Sequence, residues 1–208
     1  MSSRKEPEHA NPPKTGFSRR GFIGGVGIGG GALTTGLLQN EALAATTPVG
    51  PGAVPITLTI NGKPMKTTVE PRVTLLDALR NYLDLTGAKR VCDRGSCGAC
   101  TILVDGKSVY SCTMLAIDAQ GRKIETIEGL PVNNPVSTAF VNHDAQQCGY
   151  CTPGFVMAAH GFLKEHPGPT EADVKAGLCG NLCRCGTYMG IRKAVVEAGL
   201  AMKGGTNG

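Results

Sequence analysis

Three thiols fall within nine residues in Cys92-x4-Cys97-x2-Cys100, with Gly95 and Gly98 between them. Few arrangements constrain a chain so tightly. Sulfurs this close in sequence serve a common purpose only if the backbone wraps closely around whatever they hold. Glycine permits that, because it reaches positive φ freely and puts no Cβ in the way. The chain of 208 residues has nine cysteines in all, far more than packing needs. The odd number disfavours a fully paired disulfide scaffold. A disulfide framework, a zinc site and an iron–sulfur site are the readings that compete.

The spacing favours the last. C-x4-C-x2-C is the plant-type [2Fe–2S] pattern, whereas structural zinc usually takes two C-x2-C-like pairs. The fourth sulfur has to come from elsewhere in the chain, and Cys112 sits at the end of an expected hairpin. Backbone N–H groups around Gly95 and Gly98 can point at sulfur and stabilise negative charge there.

The surrounding pattern predicts a small α+β domain of the β-grasp kind. Ile56–Ile60 alternates apolar and polar residues as a half-buried strand does. Asn61-Gly62 signals a hairpin turn, with Met65–Val69 pairing back. Thr74 and Asp77 have capping-box spacing and open a helix to about Leu83, with Val73, Leu75, Leu76, Leu79 and Leu83 as its apolar face. After the cysteine loop, Thr101–Val104 and Lys107–Ser111 flank the Asp105-Gly106 turn, and Lys123–Ile127 is expected as a last strand.

From Asn134 onward strand signals fade. Helices are expected over Pro135–Ala145, Pro153–Glu165, Thr170–Leu178 and Tyr188–Met202, the third opening on a Thr170/Asp173 capping box. Phe155, Val156, Ala159, Phe162 and Leu163 form the predicted inner face of the second helix. Ile191, Val195 and Leu200 do so for the fourth. The natural packing is a short four-helix bundle. Cys148-x2-Cys151 and Cys183-x-Cys185 interrupt these helices in loops that the bundle brings to one end. There they can hold a second cluster, with zinc as the alternative. The expected division is residues 56–130 for a ferredoxin-type domain and 131–208 for a helical cluster-binding domain.

The front of the chain reads as an address. Ser18-Arg19-Arg20-Gly21-Phe22-Ile23 precedes a mildly apolar, glycine-rich run, and Ala42-Leu43-Ala44 resembles a small-residue cleavage site. A basic pair before such a run fits a twin-arginine export signal over residues 1–44 and a periplasmic destination. The run is short for a spanning helix. Gly25 to Gly30 formally matches G-x-G-x-x-G, but no strand precedes it, so a dinucleotide site is rejected. Residues 45–55 are a Pro/Gly linker.

Net charge is +5, of which residues 1–44 carry +2, leaving +3. An oxidised two-iron cluster with four thiolates contributes about −2, so two of them would make the folded product slightly acidic. The basic pI is no argument for nucleic acid, and no Lys/Arg run supports one.

The motifs "GSCGAC", "QCGYCTPG" and "GNLCRCGTY", in that order, resemble the iron–sulfur subunit of the xanthine oxidase family of molybdenum hydroxylases. The resemblance runs from about Ile56 to the C-terminus. Most members of the family show Thr-Gly-Tyr after the last cysteine; Gly-Thr-Tyr after Cys185, with the leader, is similar to the isoquinoline oxidoreductase and periplasmic aldehyde oxidoreductase branch. The resemblance implies a first cluster on Cys92, Cys97, Cys100 and Cys112. It implies a second, nearest the molybdopterin, on Cys148, Cys151, Cys183 and Cys185, with Gln147 touching the pterin.

It further implies an electron-transfer subunit of an oxidoreductase acting on an aldehyde or N-heterocycle. The substrate site would lie on a large molybdopterin-binding partner, and the acceptor would be a flavin (FAD) subunit, a cytochrome or another carrier. Contact with a membrane would come only through the signal or the acceptor. An exported zinc- or disulfide-stapled binding module and a free-standing ferredoxin carrier are the alternatives. Cys179 is left over and expected to be a buried, inert thiol. Arg184, between two ligands, either raises a cluster potential or pairs with a local acid. His143, His160 and His166 are expected at the surface or at helix caps.

Overall fold

Alternation in the first strand survives as burial. In β1 (Val54–Ile60), Ile56, Leu58 and Ile60 point into the core, and the residues between them are more exposed. The computed structural model describes residues 50–204. β1 starts at Val54, two residues inside the expected linker. The Asn61-Gly62 turn has φ of +50° and +77°, so both central residues are left-handed, and it returns the chain as β2 (Lys63–Val69) with Ile56 opposite Thr67. Such primed turns match the natural twist of paired strands. Asp105-Gly106 repeats the device, with φ of +51° and +80°, between β3 (Thr101–Val104) and β4 (Lys107–Tyr110).

β5 (Lys123–Glu125) completes a sheet ordered β2-β1-β5-β3-β4. It runs parallel to β1 and antiparallel to β3, so Ile124 lies beside both Ile60 and Val104. The expected strand to Ile127 stops at Glu125, because the chain turns into a short 3₁₀ turn at Ile127–Gly129.

Thr74 caps α1 (Leu75–Asp77) by accepting from the Asp77 N–H at 3.1 Å. The reciprocal half of the expected box is absent from the structure, and the Asp77 carboxylate pairs instead with Arg90. The helix widens into π-type turns over Ala78–Tyr82. Leu75, Leu76 and Leu79 are fully buried against the sheet, each worth about 1.5–3 kcal/mol relative to exposure.

Four further helices follow: α2 (Pro135–Asn142), α3 (Thr152–Glu165), α4 (Glu171–Gly177) and α5 (Tyr188–Gly204). α4 carries both halves of the Thr170/Asp173 capping box. Val136, Phe140, Phe155, Val156, Leu163, Val174, Ile191 and Val195 share the second core. Phe162, expected inside, is only partly buried. Leu200 is 62% exposed, against expectation. It lies nine residues beyond Ile191, and at about 100° per residue that is half a turn away from the buried face.

The described residues, 50–204, all fall within one compact unit, so the sheet and the helices share an interface. α3 is the joint. A Cβ on Gly154 would come within 2.4 Å of the Gly98 carbonyl oxygen, and one on Gly161 within 2.6 Å of Ser108 Oγ. These glycines are seven residues apart, on one face of the helix. β3 is consequently buried on both sides, all four of its residues being inaccessible. Among the described residues no helix is long and apolar enough to cross a membrane.

Candidate metal centres

The loop from Cys92 to Cys100 is irregular and folds back on itself at three left-handed residues: Asp93 (φ +56°), Gly95 (+72°) and Gly98 (+69°). The turns aim amides at sulfur. The Gly95 N–H donates to Cys112 Sγ at 3.2 Å, and the Ser96 N–H to Cys92 Sγ at 3.3 Å. Cys112, from the 3₁₀ turn after β4, thus reaches the loop that carries the other three thiols.

Cys92 lies beside Cys97, and Cys112 beside Cys100, each pair in hydrogen-bonding contact. The N–H of Arg94, followed by the Cys97 thiol and the N–H groups of Ser96 and Cys97, brings the Cys92 thiol down to about 7 against the effect of burial. Burial pushes the Cys112 thiol up to about 11, with the neighbouring Cys100 and Cys92 adding to it and the Gly95 N–H opposing.

A second set of four gathers where the α2–α3 loop meets the α4–α5 loop. Cys151 is in contact with Cys183, and Cys148 with Cys185. Burial, then the adjacent Cys183 thiol, raises Cys151 to about 12. Cys183 falls to about 7: burial acts against this, but the hydroxyl and N–H of Thr187, the Cys151 thiol and the Cys185 N–H outweigh it. Cys185 is pulled down by the Cys148 N–H, yet ends raised, through its contact with the Cys148 thiol, burial and neighbouring thiolate charge.

Eight cysteines thus stand two by two in two sets. Among the described residues no three or more Cys, His, Asp or Glu side chains surround a single ion. Paired thiols suit a centre with two metal atoms, each taking two sulfurs. Four thiolates crowded together repel one another, and only a strongly cationic group would hold them all deprotonated. All-sulfur donors, paired spacing and N–H groups aimed at sulfur together fit a [2Fe–2S] cluster in each set.

The two sets are close neighbours. The Leu182 N–H donates to the Cys97 carbonyl at 2.9 Å, and Leu182 is bonded to Cys183. Asn181, 6% exposed, sends its Nδ2 to the Gly98 carbonyl (2.9 Å) and Thr101 Oγ1 (3.2 Å). Gly98 is required here twice over. Its φ is left-handed, and a Cβ would meet the Asn181 amide at 2.6 Å. The Tyr110 hydroxyl donates to the Gly180 carbonyl at 3.0 Å. A cleft of about 350 Å³ opens beside this seam, and Cys97, Cys148, Cys151 and Cys183 all line it.

The remaining candidates divide. Gln147 is exposed next to Cys148. Arg184 is exposed on the cleft and takes part in none of the ion pairs among the described residues. Cys179 is exposed, which corrects the expectation of burial: it follows the end of α4, where the chain turns outward before Asn181 dips into the seam. His143 and His166 terminate α2 and α3. His143 Nε2 meets Glu197 Oε2 at 2.5 Å. His160 is partly buried, and burial, then the charge of Lys164, lowers its pKa. The sequence assigned no role to Asn181, Thr187 or the Tyr188 hydroxyl, which accepts from the Cys183 N–H at 2.8 Å, although all three lie in the motif GNLCRCGTY, within two or three residues of Cys183 or Cys185.

Comparison with known proteins agrees with this geometry. Residues 58–125 match the 2Fe-2S iron-sulfur cluster binding domain, and residues 126–196 the [2Fe-2S] binding domain. These matches define an iron–sulfur protein of two cluster-binding domains. The chain is 40% identical over 193 residues to the aldehyde oxidoreductase iron-sulfur-binding subunit PaoA of Escherichia coli (strain K12), covering 83% of this chain and 84% of that one. It is 46% identical over 155 residues to the nicotine 6-hydroxylase small subunit of Paenarthrobacter nicotinovorans, covering 74% and 94%. The crystal structure of quinoline 2-oxidoreductase from Pseudomonas putida 86 contains a similar chain, 44% identical with a TM-score of 0.70, covering 74% of this chain and 98% of that one. The chain therefore belongs to the iron–sulfur small subunits of the xanthine oxidase family of molybdenum hydroxylases. It is an electron-transfer subunit of an oxidoreductase whose molybdopterin lies on a large partner subunit.

Proposed function

We propose that Cys92, Cys97, Cys100 and Cys112 hold one [2Fe–2S] cluster and that Cys148, Cys151, Cys183 and Cys185 hold the other. Each cluster would supply a one-electron store. The observation that carries this reading is the seam at Leu182, where one backbone hydrogen bond of 2.9 Å separates a member of the first thiol set from a segment leading directly into the second. Close coupling of this kind suits electrons passing singly between two centres.

Gln147, exposed beside Cys148, would touch the pterin in this reading. Its amide donates and accepts together, as a pterin edge requires. The Cys148 end of the chain would then face the molybdopterin subunit, and the first domain an acceptor: a flavin subunit, a cytochrome or another carrier. An aldehyde or an N-heterocycle is the proposed substrate class, the names of the relatives above spanning both. Export by the twin-arginine route to the periplasm rests on Arg19-Arg20 and Ala42-Leu43-Ala44, which lie outside the described residues.

The test is native purification with metal analysis and electron paramagnetic resonance. Four irons per chain, molybdenum in a co-purifying large subunit and two distinct rhombic signals on reduction are expected. Fewer than four irons, or one signal, refutes the two-cluster assignment. Cell fractionation of an Arg19→Lys/Arg20→Lys variant tests export, with loss of the periplasmic protein as the expected result.

A further inference from the structure

Thr187 directly precedes the seventeen-residue helix α5, and its carbonyl accepts from the Ile191 N–H at 3.0 Å. It is therefore the N-cap, where a threonine hydroxyl ordinarily accepts from an amide in the first turn. The hydrogen bond the structure gives this hydroxyl runs elsewhere, to Cys183 Sγ at 3.2 Å. Gly186 makes the approach possible. Its φ is +78°, and its N–H returns to the Cys183 carbonyl at 3.3 Å, so the chain doubles back and sets Thr187 over the sulfur it has just left. Tyr188 braces the same turn from the other side by accepting the Cys183 N–H.

We propose that Thr187 is a positioning residue that tunes the second cluster, its hydroxyl donating to Cys183 Sγ and raising the reduction potential of that centre. The inference rests on the assignment of Cys183 as a ligand. An iron-bound thiolate carries no proton, so only Thr187 can donate. One electron entering the cluster adds one negative charge, with no bond broken and no proton required. A donor fixed on a ligand sulfur stabilises the more negative, reduced state more than the oxidised one, and hydrogen bonds to sulfur are a recognised determinant of such potentials. The positive end of the α5 dipole points the same way. In the first set, the donors to sulfur for which the structure gives distances are backbone amides at Gly95 and Ser96, which no side-chain substitution removes. Thr187 is thus a side-chain setting on one centre of the pair, able to move one potential without the other.

The experiment is a potentiometric titration of the native complex, followed by electron paramagnetic resonance, in the wild type and in Thr187→Val, Thr187→Ala and Thr187→Ser. A Cys148→Ser variant identifies which signal belongs to the second centre. Thr187→Val should lower the reduced-to-oxidised ratio of that centre at fixed ambient potential about threefold to tenfold, the upper figure being about 59 mV for one electron. Thr187→Ser should stay near wild type, and the first centre should not move. An unchanged potential in Thr187→Val with both signals present overturns the proposal and leaves the ligand assignment standing. If Val and Ala both lose iron at this site while Ser keeps it, the hydroxyl serves assembly, and the tuning role is overturned. A wild-type complex with only one signal removes the ligand assignment itself.

Discussion

The two thiol sets reach a similar end by different means. The first is local: three of its four sulfurs lie on one short loop, and two of the amides aimed at them belong to that loop. The second is assembled from two pairs more than thirty residues apart, joined only because α2, α3, α4 and α5 pack with both loops at one end. A local site depends on backbone conformation, whereas an assembled one depends on the fold that delivers its halves. The first should therefore tolerate damage to the helical core that the second does not.

The largest expected effects test that contrast directly. Cys151→Ser should abolish one of the two rhombic signals and halve the iron, and Cys100→Ser should abolish the other. If either variant removes both signals, the sites are not independent. Next comes the joint between them. Gly154→Ala drives a methyl into the Gly98 carbonyl and should cost about 1–3 kcal/mol by overpacking. Asn181→Leu removes one donor from the Gly98 carbonyl, which keeps the Thr101 N–H and hydroxyl, and should cost about 0.5–1.5 kcal/mol. Denaturant midpoints measure both. The two electron paramagnetic resonance signals should show the second centre depleted more than the first.

Smaller effects lie in the helical half alone. Thr170→Ala removes the cap of α4, at about 1 kcal/mol, and should lower the melting temperature while leaving the first centre's signal intact. The least is a pH effect at Glu197. Its carboxyl is held below the usual range, first by the Asn142 side chain and then by His143. A depressed carboxyl stabilises the fold above its unfolded pKa and loses that contribution as pH falls through the folded value. The melting-temperature gap between wild type and Glu197→Gln should be present at neutral pH and shrink as the pH falls through the lowered folded pKa of Glu197. A gap that does not change with pH would show that the carboxylate charge plays no part.

Much of this was legible in the chain. Asn61-Gly62 and Asp105-Gly106 announce their hairpins because few dipeptides accept two left-handed residues in succession. Ile56, Leu58 and Ile60 announce a strand because period-two burial leaves a period-two pattern. Thr170 with Asp173 marked a helix start that formed as expected. Thr74 with Asp77 had the same spacing, yet Asp77 found Arg90, thirteen residues on, and no local pattern reports such a competitor. Leu200 was misplaced because helical phase drifts from the anchor residue, so a leucine nine positions on faces away. Cys179 was misjudged because a thiol's burial depends on what the neighbouring loop does, and here the loop turns it outward.

The chain by itself determined which atoms are available for chemistry: the cysteine spacing, the glycines that let a loop close on its own sulfurs, and the turns and strands that carry them. Those are short-range consequences of dihedral freedom and periodic burial. Only the tertiary structure decided that α3 lies directly on β3 and β4, that Asn181 and Leu182 stitch one thiol set to the other, and that Thr187 turns its hydroxyl onto Cys183. Each of these contacts satisfies a hydrogen bond or fills a space between segments that pack together only once the whole core has formed.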